Sequence, residues 1–211
     1  MVKETSSLKE FEKNVITGDE LNITDKTFFR ICPALDIALC GGLISGQWVE
    51  LSGKAKVGKT SLALTYADDV IKRGGTVNIF DIEHRLDPRL LDVIGLDKSK
   101  VKIIRSTIDR VMSGDDILRY LGEILKDQKN TFNIIDSVPA MVFEDELTSE
   151  SVGIPSKKLT KFFREFNAAL NINNHTVVWL NHEKTAINFR NKSGIQQTYT
   201  PGGDYIQFLC S

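Results

Sequence analysis

Gly53-Lys54-Ala55-Lys56-Val57-Gly58-Lys59-Thr60 fits G-x-x-x-x-G-K-[ST], the pattern of a phosphate-binding loop. Four fixed positions at average residue frequencies give on the order of 0.01 chance matches in a chain of 211 residues. The flanks agree with the motif. Trp48-Val49-Glu50-Leu51 is an apolar, strand-like run just before it. Leu62-Ala63, Tyr66-Ala67 and Val70-Ile71 recur every four residues just after it, as on one face of a helix. Strand, glycine loop and helix is the order the chemistry needs. Gly53 and Gly58 let the backbone come close to phosphate oxygens, and successive N–H groups with the positive helix N-terminus surround the anion. Lys59 is then expected against the β- and γ-phosphates, and the Thr60 hydroxyl on Mg²⁺.

Downstream, apolar runs alternate with helical periodicity. Strands are expected at Thr76–Asp81, Val101–Arg105, Thr131–Ser137 and His175–Asn181. Helices are expected after Pro88, after a cap at Ser113, and along Leu159, Phe162, Phe163, Phe166, Ala169 and Leu170. Such β-α-β alternation indicates an α/β fold with a mostly parallel central sheet and helices on both faces. Asp81-Ile82-Glu83-His84 lies at a strand's C-terminal end, where ligands sit in open α/β sheets. Asp136 ends the fourth strand, and downstream of a phosphate loop it reads as a second acidic group for Mg²⁺. Pro33–Leu39 reads as a short helix stopped by Gly41 and Gly42.

Two stretches lack a clear period. Residues 139–156 read as a long loop containing Glu144-Asp145-Glu146. Residues 182–203 are polar, with Lys184, Arg190 and Lys192 among Phe189 and Tyr199. Cations with interspersed aromatics suit single-stranded nucleic acid, and a plain polar loop accounts for them equally well. The first 30 residues carry no chemistry. Leu8, Phe11 and Val15 suggest a short amphipathic helix and Ile23 to Ile31 a strand, either an ordered tail or a docking arm for a neighbouring subunit.

Composition narrows the class. Lys and Arg number 27 against 28 Asp and Glu, a formal net charge of −1, so any nucleic-acid site must come from local charge. Cys32, Cys40 and Cys210 show no zinc spacing and read as small buried hydrophobes in a reducing compartment. With no signal-peptide pattern and no bilayer-length apolar run, a cytoplasmic protein without membrane contact is expected.

Taken in order, the motifs resemble the ATPase core of the RecA-family recombinases. The resemblance runs from about Leu35 to Leu209. It rests on Leu35-Asp36-Ile37-Ala38-Leu39 with Gly41-Gly42-Leu43, the phosphate loop with Thr60-Ser61-Leu62-Ala63-Leu64, and Asp81-Ile82-Glu83-His84-Arg85-Leu86-Asp87-Pro88. Ile134-Ile135-Asp136-Ser137-Val138-Pro139-Ala140, Leu180-Asn181-His182 and Thr200-Pro201-Gly202-Gly203 complete it. It implies a P-loop NTPase of the RecA type. Gly53 through Ser61 would hold ATP, Glu83 would activate the attacking water, Asp136 would hold Mg²⁺ through water, and Asp87 would contact adenine. The position where the family often stacks an aromatic on the base is Leu90 here. His182 stands where cellular members usually carry the Gln that senses the γ-phosphate, and some phage-encoded recombinases are similar there. The two irregular stretches would be DNA-binding loops, the second contributing Lys184, Arg190, Lys192, Gly202 and Gly203, with Lys157, Lys158 and Lys161 at the end of the first.

The family core continues past the position of Cys210, so the resemblance implies an arm at 1–32 and an ATPase core at 33–211 that is incomplete at its C-terminus, with one edge of Gln47–Leu51 uncovered. The implied function is ATP-dependent recombination: a filament on single-stranded DNA, ATP between protomers, homologous pairing and strand exchange. A low-turnover recombinase-like regulator, a RecA-fold helicase core and a small-molecule kinase remain alternatives.

Overall fold

The computed structural model describes residues 12–20, 26–148, 153–185 and 198–210. A five-stranded, all-parallel sheet forms the centre. Before it come β1 (Phe28–Phe29), α1 (Pro33–Ala38) and β2 (Leu43–Ile44), with β1 and β2 paired antiparallel. The sheet strands and their helices follow as β3 (Trp48–Leu51), α2 (Lys59–Lys72), β4 (Thr76–Asp81), α3 (Pro88–Ile94), β5 (Val101–Ile104), α4 (Gly114–Asp127) and β6 (Thr131–Asp136). Then come α5 (Glu144–Thr148), α6 (Ile154–Ile172), β7 (Thr176–Leu180), the antiparallel pair β8 (Lys184–Thr185) and β9 (Thr198–Tyr199), and α7 (Asp204–Leu209).

The spatial order is β3-β7-β6-β4-β5, so the two strands formed last in sequence lie between the first two. The strands are apolar on both sides because each side carries helices. Val49, Ile79, Phe132, Ile134 and Val178 pack against α2 and α3. Trp48, Phe80, Ile135, Val177 and Trp179 pack against α4 and α6. The second layer is aromatic: Phe163 lies between Trp48 and Trp179, with ring centroids 4.9 and 5.3 Å away. Side chains of this size contribute roughly 1.5–3 kcal/mol each when fully buried. Gly122 permits the approach of α4 to α6, since a Cβ there would meet the Phe166 ring at 2.5 Å.

Several expectations change. The stretch read as a loop at 139–156 holds a 3₁₀ turn at Val138–Ala140, the helix α5, and the start of α6 at Ile154 rather than Leu159. Carboxylates serve the start of α5: that of Glu146 accepts from the Phe143 N–H at 2.9 Å, and that of Asp115, in α4, accepts from the Glu144 N–H at 3.1 Å. These acids follow no hydrophobic period, which hid the helix. The cysteines are not buried hydrophobes: Cys40 is exposed in the turn after α1, where φ is +53°, and Cys32 and Cys210 are half-buried. β5 stops at Ile104 and β6 at Asp136, one residue short of expectation, and β7 spans Thr176–Leu180. Among the described residues of Ile23–Ile31, 26 to 31, the strand is β1, Val15 is exposed, and Leu8 and Phe11 lie outside the described residues.

Candidate active site

Strand register assembles the site. Leu51, Leu180, Asp136 and Asp81 are direct partners across β3, β7, β6 and β4, forming one row at the C-terminal end of the sheet. Just past that row lie Gly53, His182, Ser137 and Glu83. The pairing persists beyond the strands: Glu183 N–H donates to the Gly53 carbonyl at 3.2 Å, and Ile82 N–H to the Asp136 carbonyl at 2.9 Å. Residues far apart in sequence are therefore held within one side chain's reach of the phosphate loop.

The loop turns at Gly58, whose φ of +94° an L side chain rarely adopts, and α2 begins at the next residue. The Lys59 ammonium donates to the carbonyls of Gly53 and Lys54 at 3.0 and 2.8 Å. It also lies 3.4 Å from His182 Nδ1. An ammonium has only donors, so Nδ1 is the acceptor and the neutral ring carries its proton on Nε2. That Nε2 faces Glu83 Oε1 at 3.5 Å. Ser137 Oγ donates to the same Glu83 oxygen, and Arg85 pairs with Glu83 Oε2 at 3.2 Å. Thr60 Oγ1 donates to Asp136 Oδ2 at 2.9 Å. Burial pushes the Asp136 carboxyl up; the Thr60 hydrogen bond opposes this, while the nearby Glu83 and Asp81 charges reinforce it.

Lys59, Thr60, Ser61, Glu83, Asp136 and His182 line one cavity of about 370 Å³, and Ala55, Lys56 and Gly58 belong to its wall. Asp87 and Leu90 lie in the same wall. Asp87 caps α3 through the Arg89 N–H at 2.9 Å and pairs with the Arg89 guanidinium at 2.7 Å. A second cavity of about 560 Å³ adjoins, bounded by Glu83, Arg85, Pro139, Ala140, His182 and Glu183.

The site fits a magnesium nucleotide. Thr60 and Asp136 meet as two hard oxygen donors at the mouth of the loop, and among the described residues no Lys or Arg pairs with the half-buried Asp136 carboxylate. Among the described residues no group of three or more His, Cys, Asp or Glu forms a dedicated cage. That suits an ion bound by one or two protein oxygens and shared with phosphates.

The DNA-binding assignments are dispersed. Lys184 is exposed in β8, while Arg190 and Lys192 lie outside the described residues. Gly202 is buried, with Leu159 and Val138 at 3.4 Å from where a Cβ would stand, and Gly203 rests on Ser156. Lys158 is taken up by Asp115 and Asp145 at 2.6 and 2.9 Å, while Lys157 and Lys161 are exposed. Three contributors had no role in the sequence reading. Ser137 and Arg85 stand inside the quoted motifs; the adjacency of β4 and β6 brings Ser137 to Glu83, and the turn after β4 folds Arg85 back onto it. Asn181 is fully buried: its amide donates to Glu50 Oε1 at 2.7 Å and to the Pro201 carbonyl at 2.6 Å, and its oxygen accepts from the His182 N–H at 2.9 Å. A polar residue at the end of an apolar strand was the available signal.

A family model described as the RecA N-terminal domain matches residues 6–211. Protein RecA of Mycoplasma mycoides subsp. mycoides SC is 29% identical over 218 residues, covering 97% of this chain and 60% of that relative. Protein RecA of Mesomycoplasma hyopneumoniae (strain J) is 30% identical over 207 residues, covering 95% of this chain and 58% of the relative. Protein RecA of Rippkaea orientalis is 28% identical over 219 residues, covering 97% and 59%. The chain thus spans about three fifths of the length of these relatives. Because the family match runs through every strand of the sheet and all walls of the cavity, the chain belongs to the RecA family.

Proposed function

We propose that this chain is the ATPase core of a cytoplasmic DNA recombinase. It binds ATP with Mg²⁺, assembles as a filament on single-stranded DNA with ATP between protomers, and promotes homologous pairing and strand exchange in recombination and repair. Residues 1–32 act as the oligomerisation arm and 33–211 as the core. The observation that carries the reading is the convergence of Lys59, His182 and Glu83, with contacts of 3.4 and 3.5 Å between them, beside the Thr60–Asp136 pair.

In this reading the N–H groups of Gly53–Ser61 and the Lys59 ammonium bind the β- and γ-phosphates. Thr60 and Asp136 hold Mg²⁺, which supplies positive charge against the phosphate oxygens. Glu83 orients the attacking water and takes its proton as the water oxygen bonds to the γ-phosphorus. The bond to the β–γ bridging oxygen breaks, and its electron pair leaves with ADP. His182 Nε2–H is the donor that reads the terminal phosphate, in place of the Gln of cellular relatives. Asp87 and Leu90 lie toward the base. Lys184, Arg190 and Lys192, with the Gly202–Gly203 turn at the root of their loop, contact DNA. No described helix is long and apolar enough to cross a bilayer.

The test is steady-state ATP turnover of wild type and Lys59→Ala, each with and without single-stranded DNA. DNA-stimulated turnover that vanishes in Lys59→Ala is expected; equal turnover with and without DNA would count against a recombinase. One observation favours a second reading, a nucleotide-binding regulator of low turnover: both Glu83 oxygens already have partners in Ser137, His182 and Arg85. Saturable ATP binding without DNA-stimulated hydrolysis would select it.

A further inference from the structure

Arg85 combines a fixed root with a free end. Its backbone N–H donates to Asp81 Oδ1 at 3.0 Å, and the Leu86 N–H reaches the same oxygen at 3.4 Å. Asp81 is only 2% exposed, so this anchor belongs to the core. The Arg85 side chain, in contrast, is 83% exposed and, among the described residues, is held by one ion pair, to Glu83 Oε2 at 3.2 Å. Exposed pairs of this kind hold weakly.

Position gives the free end a use. Arg85 lines both the cavity containing Lys59 and Thr60 and the adjoining one containing Pro139, Ala140 and Glu183. Within the first cavity the other cations are Lys56 and Lys59, and nearby Arg89 is already closed onto Asp87. A guanidinium matches phosphate oxygens bidentately and keeps its charge at every working pH. A bound triphosphate carries several negative charges, so it outcompetes the single carboxylate of Glu83 for Arg85.

We propose that Arg85 is a cation supplied in cis to the terminal phosphate of a bound nucleoside triphosphate. Binding moves the guanidinium from Glu83 Oε2 to a γ-phosphate oxygen, with no covalent change. The same movement frees that carboxylate oxygen to accept the proton of the attacking water, while Ser137 keeps hold of the other oxygen. One side chain therefore both senses the triphosphate and arms the base. This inference rests on the ATPase reading above.

The experiment compares wild type, Arg85→Ala and Arg85→Lys in the full chain, with Lys59→Ala as the reference. Affinities for a non-hydrolysable ATP analogue and for ADP, both with Mg²⁺, are measured by titration, and turnover is measured with ATP. Arg85→Ala should weaken the analogue about tenfold or more, change ADP by less than about twofold, and lower kcat at least about tenfold, since a cation on the transferring group acts chiefly in the transition state. Arg85→Lys should recover analogue affinity in part. Equal weakening of both nucleotides would assign a structural role and overturn the proposal. Faster turnover with unchanged analogue affinity would also overturn it, leaving Arg85 a brake on Glu83. If Lys59→Ala abolishes binding while Arg85→Ala matches wild type throughout, only the Arg85 proposal falls. If nucleotide binding is indifferent to Lys59, the ATPase reading falls and this proposal with it.

Discussion

One sheet carries two polar clusters at opposite ends, one half-buried and one buried, and they are built on opposite principles. At the C-terminal end, Lys59, Glu83, Asp136 and His182 are charged or titratable, and three carboxylates crowd together: Asp81, Glu83 and Asp136. At the N-terminal end, Asn78, Asn133, Thr131 and His175 form a neutral relay. Asn78 Nδ2 donates to Asn133 Oδ1 at 2.8 Å, and Asn133 Nδ2 donates to Thr131 Oγ1 at 2.9 Å. His175 Nδ1 accepts from the Thr131 N–H at 3.2 Å, which leaves the proton on Nε2, directed at the Leu125 carbonyl at 3.2 Å. The relay pins α4 and two strands together inside the core; at the charged end carboxylates meet cations within reach of solvent, Glu83 with Arg85 at 3.2 Å and Asp81 with Arg105 at 3.9 Å. A buried neutral network rigidifies, whereas half-exposed charged groups can exchange such partners for those of a ligand.

The sharpest way to break this contrast is to edit one residue at each end and exchange the readouts. Lys59→Ala should lower ATP turnover by about 10²-fold or more while shifting folding stability by less than about 0.5 kcal/mol. A stability loss as large as a core truncation would show that the charged end is structural after all. His175→Ala should do the reverse. It leaves a cavity and orphans the Thr131 N–H, so denaturant unfolding should show a loss of about 3 kcal/mol, with nucleotide affinity unchanged.

Acid separates the two ends next. Burial lowers the His175 pKa below its ordinary 6.5, with hydrogen bonds to backbone carbonyls opposing this, so the folded chain refuses a proton that the unfolded chain takes up below that value. Stability is full above pH 6.5 and falls as the pH drops below it, at up to about 1.4 kcal/mol per pH unit for this one proton. In His175→Gln that part of the slope should disappear; an identical pH profile would remove His175 as its source.

At the charged end the sign of a substitution should invert. Asp136→Asn keeps an acceptor for Thr60 and removes a half-buried charge that desolvation disfavours, so the ligand-free protein should gain about 0.5–2 kcal/mol while losing Mg²⁺-dependent nucleotide binding. A destabilised Asp136→Asn would mean the carboxylate is already balanced. The smallest effect belongs to exposed Lys184: replacing it with Ala should reduce the slope of log affinity for single-stranded DNA against log salt by about 1 or less.

How much of this was legible in the sequence follows the range of each interaction. The phosphate loop, α2 and the strand ending in Asp136 depend on near neighbours, so pattern and period disclosed them. Helix α5 was missed because its acids answer to N–H groups at helix starts, not to a hydrophobic stripe. Asn78 and Asn133 sit in apolar strands, and nothing local distinguishes a hydrogen-bonded buried amide from an interruption of the strand. Ser137 lay in plain view without a role because Glu83 is 54 residues away in sequence, and Arg85 because a local ion pair leaves no mark on hydrophobic period.

Sequence alone determined that this chain builds a phosphate-binding turn between an apolar strand and an amphipathic helix, followed by further strand–helix units. Those features are written in glycine placement and in side-chain periods of two and 3.6, which act within a few residues. Only the tertiary structure decided that β6 and β7 insert between β3 and β4, and with them Asp136 and His182 between the phosphate loop and Glu83. Strand order is settled by which apolar faces α2, α4 and α6 can cover together, a property of the whole core that no single stretch contains.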